Sequence, residues 1–127
     1  MNHVLIIAHQ PLAEALRQCA LHVFPEEGGR ITALDVPAQE APEVTLERMC
    51  SVLRAQGSTL VLTDMLGATP SNVMTKALAA CNSDQVRAVV GVNMPMVVRA
   101  MAYAHLPLSE MQARALQGGK DSMMLWE

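Results

Sequence analysis

The feature that most constrains this chain is its alternation of short, unbroken apolar runs with stretches of helical periodicity. Val4 to Ala8 is a continuous, β-branched-rich run, the pattern of a strand buried on both faces. Leu12, Leu16, Cys19/Ala20 and Val23 then recur at helical spacing, up to Pro25 and Gly28-Gly29. Arg30 to Val36 reads as a second strand. Pro42 opens a second helix with Val44, Leu46, Met49, Cys50 and Leu53 inward and Gly57 at its end. Thr59 to Thr63 predicts a third strand, Thr69-Pro70 the start of a third helix through Ala80, and Val86 to Val90 a fourth strand. Met94 to Tyr103 and Leu108 to Gln117 are expected helices, the latter stopped by Gly118-Gly119. Ser122 to Trp126 is an expected short last strand.

Four continuous strands separated by helices dictate βαβ units, hence an α/β fold with a doubly wound, mainly parallel sheet and helices on both faces. For 127 residues the expected strand order is 2-1-3-4, with residues 1–127 as one domain. The switch point of that order lies between the first and third strands, and ligands of such sheets bind outside the carboxyl ends of the strands there. The core must be aliphatic, because half the residues are apolar (51%) while Phe, Tyr and Trp occur once each. So few aromatics, with a net charge of −3 and scattered cations, argue against nucleic acid as a partner. Cys19, Cys50 and Cys81 form no CxxC and are expected as reduced, buried thiols. No run has the length of a signal core or a membrane span, so a soluble, cytoplasmic protein without membrane insertion is expected.

The chemistry-bearing residues fall at the strand ends. The first strand ends in Ala8-His9-Gln10, the third in Thr63-Asp64 followed by Met65 to Asn72, and the fourth in Gly91 to Pro95. The topology therefore puts His9 and Asp64 on either side of the switch point. Neutral imidazole is nucleophilic, and its ordinary pKa near ~6.5 leaves much of it neutral in a cell. A carboxylate bonded to one ring N–H fixes the tautomer and frees the other nitrogen to attack. Phosphoryl transfer demands mainly positioning and charge stabilisation, which a helix N-terminus supplies. Gly67, Ala68, Thr69 and Ser71 are the expected phosphate-binding set, with Thr69 as N-cap and Pro70 at the first helical position. Gln10 and Asn93 are secondary positions, Asn93 chiefly ordering its loop. His3, His22 and His105 carry no functional pattern, and the ten methionines read as core filler. No metal site and no cofactor are expected.

Other phosphate chemistries fit less well. A receiver domain needs an acidic pair after the first strand, where this chain has His9-Gln10. A flavodoxin needs a Ser/Thr/Gly-rich loop there. The spacing of Cys81 and Arg87 matches a small tyrosine phosphatase formally, but at the wrong edge of the sheet. No Walker A or GxGxxG sequence occurs.

The segments VLIIAHQPLAEAL, LVLTDMLGATPSN and GVNMPMV, with the tail ALQGGKDSMM, resemble the mannose-family enzyme IIA domain of the bacterial phosphoenolpyruvate-dependent sugar phosphotransferase system. The resemblance spans essentially the whole chain. It implies a protein-histidine phosphotransferase in which His9 is phosphorylated, Asp64 is its partner and Thr69 lies near the phosphoryl group. It implies phosphocarrier HPr as donor, a IIB protein or a regulatory target as acceptor, and a homodimer whose final strand crosses to the other subunit. Two departures stand out. Gln10 replaces the family's usual Gly, and the chain stops at Glu127 with no linker or fused IIB domain. Transport and regulation therefore both stay open, the alternative being a non-catalytic regulator whose partner binding depends on His9 phosphorylation.

Overall fold

The computed structural model describes residues 1–81 and 84–127. Strand β1 (His3–His9) is followed by α1 (Leu12–Val23), a 3-10 turn over Gly28–Arg30, and β2 (Ile31–Val36). Then come α2 (Pro42–Gln56), β3 (Thr59–Thr63), α3 (Thr69–Ala80), β4 (Val86–Val90), α4 (Met94–Ala102) and α5 (Leu108–Asp121). The four strands pair in parallel in the order β2-β1-β3-β4, as the alternation requires.

The period-2 alternation of β1 splits the core in two. Val4, Ile6 and Ala8 face α1, α4 and α5, meeting Leu16, Val97, Met101 and Met111. Leu5 and Ile7 face α2 and α3, meeting Met49, Leu53, Val73 and Ala77. Both faces of β1 and β3 are sealed, which explains why those strands lack any polar alternation. The outer strand β4 is buried at Val86 and Val89 and exposed at Arg87 and Val90.

Three expectations need correction. Gly118-Gly119 does not stop the last helix, which runs on to Asp121. Both glycines are instead the contact surface on which α4 and α5 meet. A Cβ at Gly118 would lie 2.7 Å from the Arg99 Cβ, and one at Gly119 would lie 2.8 Å from the Met96 Cε. Second, Ser122 to Trp126 forms no strand within this chain, and Met123, Met124, Leu125 and Trp126 are exposed. A strand needs a ladder partner, and among the described residues none pairs with this tail. Third, of the cysteines only Cys50 is buried; Cys19 is exposed on α1 and Cys81 half-buried at the end of α3. Among the described residues no helix is long and apolar enough to cross a membrane.

Candidate functional site

Parallel pairing fixes the site. Ile7 stands opposite Thr63 in the β1–β3 ladder, so the residues just past it, His9 and Asp64, leave the sheet side by side. Asp64 Oδ2 accepts from the backbone N–H of His9 at 3.0 Å and lies 2.6 Å from the ring Nδ1. Its other oxygen accepts from the Met65 N–H at 2.9 Å. Burial pushes the Asp64 carboxyl up, but the bonds from the His9 ring, the His9 N–H and the Met65 N–H outweigh it. The net pKa lies below the ordinary carboxylate value. Asp64 is therefore an anion that holds Nδ1 as the donor and leaves Nε2 with its lone pair. The carboxylate is shielded, its side chain 12% exposed, whereas that of the imidazole is 51% exposed and open to a partner.

Four helices start at this end of the sheet, and their first turns differ; α2, with Ala41 at its start, has no side-chain cap. At α1 no neighbouring side chain caps the helix, yet Asp35 reaches over from β2 and accepts from the N–H groups of Ala13 and Glu14 at 2.9 and 3.3 Å. At α4 the Asn93 side chain caps the Met96 N–H at 3.0 Å. At α3 no side chain caps the helix. Thr69 is not the N-cap; the extended residue Ala68 is, because the helical conformation already begins at Thr69. The Thr69 hydroxyl is thus not consumed by capping, and Pro70 at the second position removes only an N–H that has no helical acceptor. Gly67, at φ +83°, makes the left-handed turn that aims this helix start, a conformation glycine adopts freely.

His9, Thr69, Val36, Pro37, Ala38 and Glu40 line a cleft of about 250 Å³. Larger hollows exist, such as one of about 440 Å³ beside α2 and β2, but they do not include His9. Volume alone therefore does not mark the hollow that holds the imidazole.

The remaining predicted positions are placed as follows. Gln10 is exposed beside His9, its N–H donating to the Val36 carbonyl at 3.1 Å. Ala68 is half-buried, and its carbonyl accepts from the Asn72 N–H and the Ser71 hydroxyl. Ser71 is buried with its hydroxyl turned to that carbonyl at 3.0 Å, so it braces the turn from within. Asn93 Nδ2 donates to the Gly119 carbonyl at 3.1 Å, tying α4 to α5 away from the imidazole. Among the described residues no cluster of three or more His, Cys, Asp or Glu could hold a metal ion.

The family model described as "PTS system fructose IIA component" matches residues 3–116. The chain belongs to this phosphotransferase-system IIA family. Solved structures agree on the fold. The mannose/sorbose-specific IIA subunit from Enterococcus faecalis superposes with a TM-score of 0.89 at 23% identity, covering 99% of this chain and 95% of that one. An EIIA component from Streptococcus agalactiae gives 0.88 at 16% identity, with 98% and 97% covered. A IIA protein associated with a fucose utilization operon in Streptococcus pneumoniae gives 0.79 at 22% identity, with 98% and 92% covered. No curated protein matches the sequence significantly.

Two residues of this IIA chain escaped the sequence reading. Asp35 looks like one polar residue in an apolar strand, yet it serves as the cap of α1, the helix that follows His9. Glu40 sits in a loop, yet it lines the cleft and is gripped by Arg48 and Thr45. The only sequence signal for either was a carboxylate at or just after a strand's carboxyl end, next to the switch point.

Proposed function

We propose that this IIA domain, spanning residues 1–127, accepts a phosphoryl group from HPr on His9 Nε2 and passes it to a IIB protein or to a regulatory target. The observation that carries this is the 2.6 Å contact between His9 Nδ1 and Asp64, which leaves Nε2 open beside a helix start that no side chain caps. Nε2 bonds phosphorus as the donor's phosphorus–nitrogen bond breaks. The positive charge that forms on the ring is balanced by Asp64 at once, with no rearrangement. The first N–H groups of α3 and the Thr69 hydroxyl face the equatorial oxygens. The reaction is reversible because the ring nitrogen is also a good leaving group, which suits a carrier rather than a hydrolase.

Incubation with enzyme I, HPr and phosphoenolpyruvate labels the protein with acid-labile, base-stable phosphate in this reading. Full labelling of His9→Ala would overturn it. The acceptor follows from mixing the labelled protein with candidate IIB proteins and following the label.

The same reading includes a homodimer. The outward carbonyl of Ala88 on the free edge of β4 is met only by the Gln112 side chain at 2.8 Å among the contacts described, and the apolar tail Met123–Trp126 is uncovered. An open edge and an unpaired strand-length segment complete one another across two copies. Sedimentation of the full chain against a chain ending at Ser122 tests this: loss of the dimer on truncation is expected, and an unchanged mass excludes tail exchange.

A further inference from the structure

Glu40 and Arg48 form an ion pair whose two members line different hollows. The Arg48 Nη1 donates to both carboxylate oxygens of Glu40, at 2.7 and 2.9 Å, and to the Asp35 carbonyl at 3.3 Å. The buried Thr45 hydroxyl donates to Glu40 at 2.9 Å. The hydrogen bond from Arg48 lowers the Glu40 carboxyl below its ordinary value, desolvation opposes this, and Thr45 lowers it further, so the group is an anion. Glu40 lines the His9 cleft; Arg48 does not, and lines instead the separate hollow beside Ala33, Val44 and Glu47. Glu40 thus borders the place where a phosphoryl group on His9 would sit, and Arg48 Nη1, bound to both its oxygens, belongs to a residue outside the lining of that cleft.

The Asp64 charge is matched by the imidazolium that phosphorylation creates. The Glu40 charge has no such match inside the cleft, where the other lining residues besides His9 are Thr69, Val36, Pro37 and Ala38. The geometry points to Glu40 and Arg48 as an oriented pair that keeps a phosphoryl group on His9 loosely held, and so ready to leave for the acceptor. Glu40 raises the free energy of the phosphorylated state by like-charge repulsion across the cleft of about 250 Å³ that it shares with His9, well inside a Debye length. Arg48 limits that repulsion and holds the carboxylate in place. This rests on the assignment of His9 as the phosphoryl carrier. Both are positioning residues, acting through the field at His9 rather than by bonding phosphorus.

The pair predicts opposite signs for its two members, which a merely structural role does not. Glu40→Gln removes the charge and keeps one of the two oxygens that accept from Arg48 and Thr45. The fraction of protein phosphorylated at a fixed ratio of phospho-HPr to HPr rises by roughly three- to tenfold, the effect of one like charge at a partly exposed site. Arg48→Gln leaves Glu40 uncompensated, and the fraction falls. The double variant returns to the wild-type value or above it. Uptake from phosphoramidate, followed by phosphorus NMR, repeats the test without HPr: Nε2 takes the phosphoryl group, the donor's phosphorus–nitrogen bond breaks and ammonia leaves. Glu40→Gln is expected to speed this uptake and Arg48→Gln to slow it. A phosphorylated fraction that does not rise in Glu40→Gln, or that falls in both single variants, overturns the proposal. Wild-type protein that takes phosphate from phosphoramidate with these opposite responses, yet takes none from phospho-HPr, refutes the HPr assignment and leaves the pair's role standing.

Discussion

The two ends of the sheet are built on opposite plans. At the amino ends of the strands, backbone groups of the described connections are tied to one another. The Asn2 N–H meets the Ala104 carbonyl, the His3 N–H meets the Ser58 carbonyl and the Thr59 N–H meets the Gln85 carbonyl, each at 2.9 Å. The Asn2 side chain donates to the Leu106 carbonyl at 2.7 Å and accepts from the Ser58 hydroxyl at 2.6 Å, lacing three connections together. At the carboxyl ends, polar groups are just as numerous but hydrogen-bonding capacity is left over: the Nε2 side of His9, the Thr69 hydroxyl and the first turn of α3. The amino end ties its connections together and leaves buried atoms unpaired (His3 Nδ1, Arg30 Nη1 and Gln56 Oε1), whereas the carboxyl end leaves His9 Nε2 and the Thr69 hydroxyl open at the surface. The difference teaches where chemistry can reside in a small parallel sheet.

The largest test of that contrast compares Asp64→Ala with Asn2→Ala. Removing Asp64 frees the imidazole to adopt either tautomer and leaves its developing charge unbalanced. The rate of labelling from phospho-HPr should fall by about 100-fold or more, the scale seen when an orienting carboxylate is lost from a histidine. Thermal stability should change far less than the labelling rate, because the imidazole is half-exposed and Asp64 otherwise holds only the His9 and Met65 N–H groups at the rim of the sheet. Asn2→Ala should do the reverse. It strands the part-buried Leu106 carbonyl and costs about 1–3 kcal/mol in denaturant unfolding. Labelling of the folded fraction should stay at the wild-type rate. If both substitutions moved both quantities alike, the division of labour between the two ends would be false.

A smaller test concerns how the carboxyl end is braced. Asp35→Ala removes the acceptor for the Ala13 and Glu14 N–H groups, so α1 loses its cap. A loss of about 1 kcal/mol is expected, as for other cap deletions. Gly118→Ala should cost a similar amount, about 1–2 kcal/mol. The gain in helix propensity over glycine is outweighed by a methyl group 2.7 Å from the Arg99 Cβ. Calorimetry of both variants separates the sides of the argument, since Asp35→Ala loosens the segment beside His9 and Gly118→Ala acts on the α4–α5 packing. Only the first should also slow labelling.

How much of this was written in the sequence depends on the range of the interaction involved. Strand order and the convergence of His9 with Asp64 follow from the apolar runs and the handedness of βαβ crossovers, and both were legible. The α3 start was legible to within one residue: Thr69-Pro70 marked it, but Ala68 rather than Thr69 is the cap. Gly118-Gly119 misled because glycine pairs usually end helices, whereas here α4 presses so close that only glycine fits. The roles of Asp35 and Glu40 were not legible, because each acts on residues elsewhere in the fold: Asp35 on a helix 22 residues upstream, Glu40 through Arg48, eight residues on. The tail Met123–Trp126 has the composition of a strand, but whether it becomes one depends on a partner edge outside the chain.

The smallest expected effect is on acid stability, and it isolates Asp64 from the rest of the site. Its carboxyl has a lower pKa in the folded protein than the ordinary aspartate value near ~3.9. A group of that kind stabilises the fold above its unfolded-state pKa, and the contribution is lost as pH falls through that value toward the folded one. Wild type and Asp64→Asn should therefore differ in stability by a constant amount at neutral pH. The gap should begin to close only below about pH 4, as the unfolded carboxylate starts to protonate. Denaturant unfolding from pH 7 down to pH 3 measures it. A gap that already closes between pH 7 and pH 5 would mean that the Asp64 carboxyl is not held below its ordinary value, and would remove the bonds from the His9 ring, the His9 N–H and the Met65 N–H as what keeps it an anion.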